Sequence, residues 1–337
     1  MSALVLAQVP QTRSKAVWEP VNVKQDVNLL SVRFVSPEEG WVAGGKTPNA
    51  GGVILHTQDS GATWELQAGD AKSKDGAFSD LRMLDLMLGF AVQGAATGDD
   101  RLFCTRDGKA WSAVGTIAPQ RSDYQFTSGE TGFYSSAAFI YRTNDSGKTW
   151  QRVFNCIASN TPCSVEKLTF LDSKTGWAMT RKLSDQEGLV FLKTEDGGTN
   201  WTPSVILPGE DGRDGALKFA DASTGILRTS RGRVFRTTDG GATWTGVPGQ
   251  IDGKAEIAFS DPDVGWMLRG QKMLYTTNGG LSWTSRDVLF PSPATAFTLV
   301  RRDSGYAVGE HGMVYRYSVV PANYNGAGML PAPAMPR

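Results

Sequence analysis

Carboxylates recur along this chain at a spacing that invites a catalytic reading. Asp59, Asp107, Asp145, Asp196 and Asp239 each sit in a Thr-x-Asp-x-Gly-x-x-Trp box or a shortened copy of it, ending at Trp64, Trp111, Trp150, Trp201 and Trp244. A sixth box carries Asn278 in place of the aspartate and ends at Trp283. Two carboxyl groups brought about 5 to 9.5 Å apart would suit glycoside hydrolysis. The repetition argues against it. A box found at one place in repeat after repeat is a folding device, its aspartate accepting hydrogen bonds from its own turn while the glycines take positive φ and the tryptophan packs between neighbours. No catalytic role is therefore assigned to any of them.

Other enzyme signatures are scarce. Neither a His-Glu-x-x-His helix nor a Gly-x-Ser-x-Gly elbow occurs, and His56 and His311 are the only histidines, too few for a histidine-rich metal site. The Asp211-Gly-Arg-Asp214-Gly stretch has calcium-loop flavour but lacks the later oxygen ligands and the closing Glu. The sequence thus points to a protein that is not an enzyme and needs no cofactor or metal.

The elements that carry the boxes are short alternating runs. Upstream of each box, and once more near the end, such a run meets a glycine: Gly40, Gly89, Gly132, Gly176, Gly225, Gly265 and Gly305. Their separations of 40 to 49 residues match one four-stranded propeller blade. In the first repeat, residues 31–35, 41–45 and 53–57 are expected as strands, and the box turns the chain into an outer strand beginning at Trp64. The last repeat has three strands and no terminal tryptophan, whereas Val17-Trp18-Glu-Pro-Val21 is a strand without a blade. Joining the two predicts an all-β, seven-bladed β-propeller of four-stranded antiparallel blades, closed by the N-terminal strand. Residues 16–320 form the propeller, 1–15 a flexible arm or signal remnant, and 321–337 a Pro/Ala-rich flexible tail.

Composition narrows the partners. The 34 basic and 34 acidic residues cancel, so nothing global draws the chain to nucleic acid or to an anionic membrane. No apolar run approaches the roughly 20 residues of a membrane span. Ala3-Leu-Val-Leu-Ala7 resembles the tail of a secretory signal without its basic region, and is either that or part of the arm. Cys156 and Cys163 bracket a turn-rich loop that a local disulfide could close, leaving Cys104 free, and such loops belong to oxidising compartments; three free thiols in a cytosolic protein are the alternative.

With the boxes on one face, binding is expected on the other, where loops join second to third strands and blade to blade. Those loops carry Lys46, Arg181, Lys182, Arg231, Arg269 and His311, with Arg121 and Arg213 farther out. Asp99, Asp100, Asp185, Glu187, Glu210, Asp211 and Glu310 dilute them. The densest cluster is Arg228-Thr-Ser-Arg231-Gly-Arg233, where strand alternation would put Arg231 and Arg233 on one face with Arg228 across the loop. Arg181, Arg213, Arg231, Arg233, Arg269 and His311 are the candidate partner-binding residues, suited to carboxylates, phosphates or an acidic peptide. A merely solvated strand rim is the competing reading.

Two family likenesses follow from these residues. Asp boxes occur in sialidases, yet the Arg-Ile-Pro segment of that family is absent, so a glycan-active enzyme or lectin remains only an alternative, as does a structural module of a cell-surface assembly. The opening Trp18-Glu-Pro-Val, the Gly40-Trp-Val-Ala-Gly-Gly strand, the boxes and the closing Gly305-Tyr-Ala-Val-Gly-Glu-His-Gly-Met-Val-Tyr-Arg resemble the photosystem II assembly and stability factor family over almost the whole ring. That resemblance implies a seven-bladed, noncatalytic lumenal or periplasmic chaperone with an arginine patch on one face, holding a newly made membrane subunit. A monomer exported to the periplasm or a thylakoid-lumen-like compartment is expected, binding an acidic or extended segment of such a subunit. Photosynthetic members carry Ser-Arg-Gly-Asn-Phe in a middle blade, of which only Arg231 and Gly232 are matched here, leaving a non-photosynthetic bacterial relative open.

Overall fold

Each repeat folds as a four-stranded antiparallel sheet, because its alternating runs are too short to be stable alone and each finds the next through a tight turn. The computed structural model describes residues 14–48, 50–156, 163–182, 188–250, 255–269, 272–285 and 290–323. Seven such sheets form the blades of a β-propeller. In the first blade the strands run outward from the axis as Asn28–Phe34, Gly40–Gly45, Val53–Thr57 and Glu65–Gly69. In the last, Ser14–Val21 is the outermost strand beside Val314–Pro321, with Trp18 opposite Tyr317. The N-terminal strand therefore closes the ring as expected. Ser14, Lys15 and Pro321 pair within that sheet, so the strands reach slightly past both expected limits. The remainder of both terminal segments lies outside the described residues.

The glycine period has a packing cause. The last residue of five innermost strands is Phe34, Phe126, Phe170, Phe219 or Phe259, and in each case its ring lies flat across the glycine that begins the second strand. A Cβ on Gly40 would come within 2.3 Å of the Phe34 ring, and one on Gly176 within 2.5 Å of Phe170. The far side of four of these rings stacks on the aromatic residue after the glycine of the preceding blade. Phe34 meets Tyr306 at 3.5 Å between centroids, Phe126 meets Phe90 at 3.5 Å, Phe170 meets Phe133 at 3.9 Å and Phe219 meets Trp177 at 3.7 Å. Met83 and Leu299 take the same place in the second and seventh blades, packed with Trp41 and Trp266. The core is thus a set of inter-blade layers.

The boxes lock the outer turns. Thr57 Oγ1 donates to Asp59 Oδ1 (2.8 Å) and accepts from the Gly61 N–H (2.9 Å), while Thr63 donates to the carboxylate through its N–H (2.8 Å) and hydroxyl (2.6 Å). Asp145 and Asp239 repeat this pattern, Asp196 does so with Asn200, and the shortened box engages Asp107 through the Lys109 and Ala110 N–H groups. Asn278 keeps the geometry with an amide, accepting from the Ser282 N–H and donating to its hydroxyl. The tryptophans reach the preceding blade: Trp150 donates its indole N–H to Thr116 O (3.0 Å), and Trp244 sets its edge on Phe191. His56, buried against Trp41 and 3.1 Å from Glu39 Oε1, is a packed strand residue. Cys156 and Cys163 are joined as a disulfide, and Cys104 is a buried free thiol.

Two outcomes follow from this packing. Gly176→Ala, which forces a methyl group against Phe170, is expected to cost about 1–3 kcal/mol in urea unfolding. The Asp145 and Asp239 carboxyls are held down to about 2, first by the hydroxyl and then by the N–H of Thr149 and Thr243. An unfolded aspartate titrates near ~3.9, so the stabilisation from these groups is complete above about pH 4 and is lost as pH falls through about 2. Urea midpoints are expected to drop across that window, and Asp239→Asn, copying the chemistry of Asn278, should make the drop shallower.

Candidate partner-binding surface

The two faces of the ring differ in what their loops have left to offer. Ser60, Gly108, Ser146, Gly197, Gly240 and Gly279, all in box hairpins, donate backbone N–H groups at 2.8–3.0 Å to the turn that follows the innermost strand of the same blade. One face is therefore boxes and first turns tied together. The other is built from the second-to-third-strand loops and the connections between blades, as expected.

The fifth blade shows how the arginine cluster is arranged. Its second strand is Gly225–Arg228 and its third Arg233–Thr237, joined by a four-residue turn closed by Thr229 N–H to Arg233 O (2.9 Å) and Gly232 N–H to Thr229 O (3.0 Å). Gly232 sits at φ 75°, a value that suits glycine. Arg231 thus lies in the turn and not on the strand, which corrects the expectation that alternation aligns it with Arg233. Arg228 is only 2% exposed and donates Nη1 to Asp214 O (3.0 Å), so it supports the loop from within instead of facing a partner. Arg233 remains exposed at its tip, stacked over Phe235 at 5.2 Å and paired with Glu210 Oε1 at 2.6 Å. Ser230 donates to Asp211 O (2.7 Å), binding this turn to the inter-blade loop that carries exposed Arg213.

Glu210 was expected to dilute the patch from its surface. It is instead 1% exposed, with Oε2 lacking a hydrogen-bond partner. Its Oε1 accepts from Arg233, a residue distant along the chain, and nothing local in the sequence signals that contact. Arg181 Nε lies 3.1 Å from Glu166 Oε1 without the alignment of a hydrogen bond. Burial raises the Glu166 carboxyl above its ordinary range, Arg181 pulls it down, and Asp211 and Asp214 add to the rise. Arg213 lies 4.0 Å from Asp211 Oδ2. The cations of the fourth and fifth blades are therefore interleaved with carboxylates.

The other candidates are spread apart. His311, at φ 54° in a short turn of the seventh blade, is exposed with Nδ1 2.9 Å from Asp26 Oδ1. Arg269 ends the strand Gly265–Arg269, and its side chain lies outside the described residues, as do those of Lys182, Asp185 and Glu187. Arg121 departs most from expectation. It begins the innermost strand Arg121–Phe126, has a side chain only 8% exposed, and bridges Asp100 (2.7 Å) and Asp80 (2.6 Å), so neither it nor Asp100 belongs to an exposed loop. Among the described residues no group of three His, Cys, Asp or Glu side chains could hold a metal ion. The string Gly40-Trp-Val-Ala-Gly-Gly45-Lys46-Thr47 spells a phosphate-loop consensus, yet Gly40–Gly45 is a buried strand with a strand after it, where that loop needs a following helix.

Comparison with known proteins agrees with the repeat sequence. A profile of the family described as Photosynthesis system II assembly factor YCF48 matches residues 104–256. The chain is 22% identical to the Photosystem II assembly lipoprotein Ycf48 of Synechococcus sp. (strain CC9902), over 94% of this chain and 92% of that one. It is 21% identical to the Photosystem II assembly protein Ycf48 of Thermosynechococcus vestitus, over 89% and 84%. A solved structure of YCF48 bound to D1 peptide superposes with a TM-score of 0.64 at 20% identity, covering 89% of this chain and 96% of that one. No helix among the described residues is long and apolar enough to cross a membrane. In fold the chain is a seven-bladed Asp-box propeller, and in repeat sequence it is similar to the photosystem II assembly factors.

Proposed function

We propose that the protein is a noncatalytic assembly factor that holds an acidic or extended segment of a membrane-protein subunit on the face opposite the boxes. The observation that carries this reading is the Ser230–Asp211 hydrogen bond, which fixes the Arg231 turn to the Arg213 loop and sets two exposed arginines on one rigid rim. Guanidinium forks held this way favour carboxylates, and Arg233, Arg181 and His311 are assigned to the same face, with Arg269 at the end of its strand as a further candidate. The interleaved Glu166, Glu210 and Asp211 keep this rim from binding anions indiscriminately, so a partner must bring its charges in register. The box carboxylates are engaged by their own turns, which leaves the glycan-active alternative without a free acid pair on that face. The names of the relatives, and the D1 peptide held by one solved neighbour, support a subunit of this kind as the client. Export to a periplasmic or lumenal compartment agrees with the disulfide and with the lipoprotein name of one relative.

A fluorescently labelled D1 peptide tests the reading by anisotropy. Binding is expected, weakened by salt, and reduced about tenfold or more by Arg213→Glu with Arg231→Glu while the melting temperature holds. Unchanged affinity in the double variant would remove this face from the reading. An absence of binding to the unaltered protein would remove the photosystem client.

A further inference from the structure

The strand ladders set seven residues at one height in the axial channel, each opposite the residue that follows its blade's glycine. Arg33 faces Trp41, Arg82 faces Phe90 and Lys218 faces Ile226. The other four, Gln125, Thr169, Ala258 and Thr298, are uncharged. This tier, one residue inside the box face, thus holds three cations and no carboxylate. Carboxylates appear at the next channel-facing positions, as Asp80, Asp123 and Glu256 with Lys167 among them. Arg82 reaches across to Asp123 Oδ1 at 3.4 Å, which accounts for one cation of the tier. The Arg33 and Lys218 side chains have no ion pair or hydrogen bond among the described residues.

That these groups share one lumen follows from their electrostatics. Lys218 belongs to the fifth blade, Arg33 to the first and Arg82 to the second, yet both arginines act on Lys218, an interaction between non-adjacent blades that must cross the channel. Arg33 is exposed and Lys218 half-buried, so the channel is open to solvent at their level. Arg33 also opens into a cleft of about 380 Å³ at the box-face mouth, walled by Phe34, Leu84, Leu86, Leu299 and Val300. The one carboxylate there, Asp85, is taken up by the N–H groups of Met87 and Leu88, both at 2.7 Å.

We propose that the box-face mouth of the channel binds an organic monocarboxylate with a compact apolar body, its charge held between Arg33 and Lys218 and its body against Leu84, Leu86, Leu299 and Val300. Two unpaired cations facing one lumen repel one another, and an anion placed between them relieves that repulsion. The apolar wall separates such a ligand from a bare inorganic anion, which gains nothing from it. Desolvation in the ring, followed by repulsion from Arg33 and Arg82 and opposed by Asp123, lowers the Lys218 ammonium to about 8. The hold on a carboxylate accordingly weakens as pH rises through that value.

Fluorine NMR with para-trifluoromethylbenzoate tests the site, with para-trifluoromethylbenzyl alcohol as its uncharged twin. The carboxylate resonance is expected to broaden with the protein and the alcohol resonance to stay sharp. Arg33→Gln with Lys218→Met is expected to weaken binding about tenfold or more, with melting curves confirming that the ring is intact. Affinity should fall across pH 8 in the parent, at a higher pH in Arg33→Gln, where the repulsion that lowers Lys218 is relieved, and not in Lys218→Met. Equal binding of the alcohol, or undiminished binding by a folded double variant, overturns the proposal. Displacement by inorganic phosphate as effective as by unlabelled benzoate overturns the role given to the apolar wall. Should the double variant fail to fold, the alcohol comparison and the pH profile of the parent still decide. Arg231→Glu, on the other face, is expected to leave this binding unchanged, which separates the site from the partner-binding rim.

Discussion

A flat aromatic ring lying across a bare glycine is the contact on which the rest of the molecule depends. Phe34, Phe126, Phe170 and Phe219 each cover the glycine of their own blade and present the opposite face of the ring to an aromatic residue of the blade before. Each stack adds about 0.5–1.5 kcal/mol beyond the area it buries. Its larger effect is geometric. Because the contact repeats at the same ladder position, it sets the innermost strands to one height, and residues just before the phenylalanines come to one level in the channel.

Local hydrogen bonding and global packing divide the charges of the chain accordingly. Box aspartates are consumed within their own turns, while backbone N–H groups of the same hairpins cement them to the first turns, so the most regular carboxylates of the chain are not free ones. The opposite rim keeps its arginines exposed but interleaves them with acids. The lumen sorts its charges by height, with cations near the box face and carboxylates deeper. A chain of zero formal charge thus carries several separate electrostatic surfaces, which net charge alone does not describe.

Blade number, closure by the Trp18 strand and the structural role of the boxes were legible in the sequence because each rests on spacing, turn chemistry or an unmatched end. The site was legible only in part. Arg213, Arg231 and His311 are exposed where loop assignment puts them, whereas Arg228 and Arg121 look the same in sequence and have buried side chains. What distinguishes them is the chain that folds over them, from Asp214 in one case and from Asp80 and Asp100 in the other. Arg33 and Lys218 were missed for a related reason: each sits in an ordinary alternating strand, and only closure of the ring turns two distant strand faces toward each other. The glycine after each inner strand was a usable signal, since it marks the register of the tier.

The sequence by itself determined the repeat, the blade and the count of blades, because these follow from interactions among residues close along the chain: strand alternation, turn glycines and the Thr–Asp lock. Tertiary structure alone decided which charges are buried, which are paired and which face one another across the lumen. Those outcomes depend on desolvation and on Coulomb interactions between blades far apart in sequence, and neither has a value until the ring is closed.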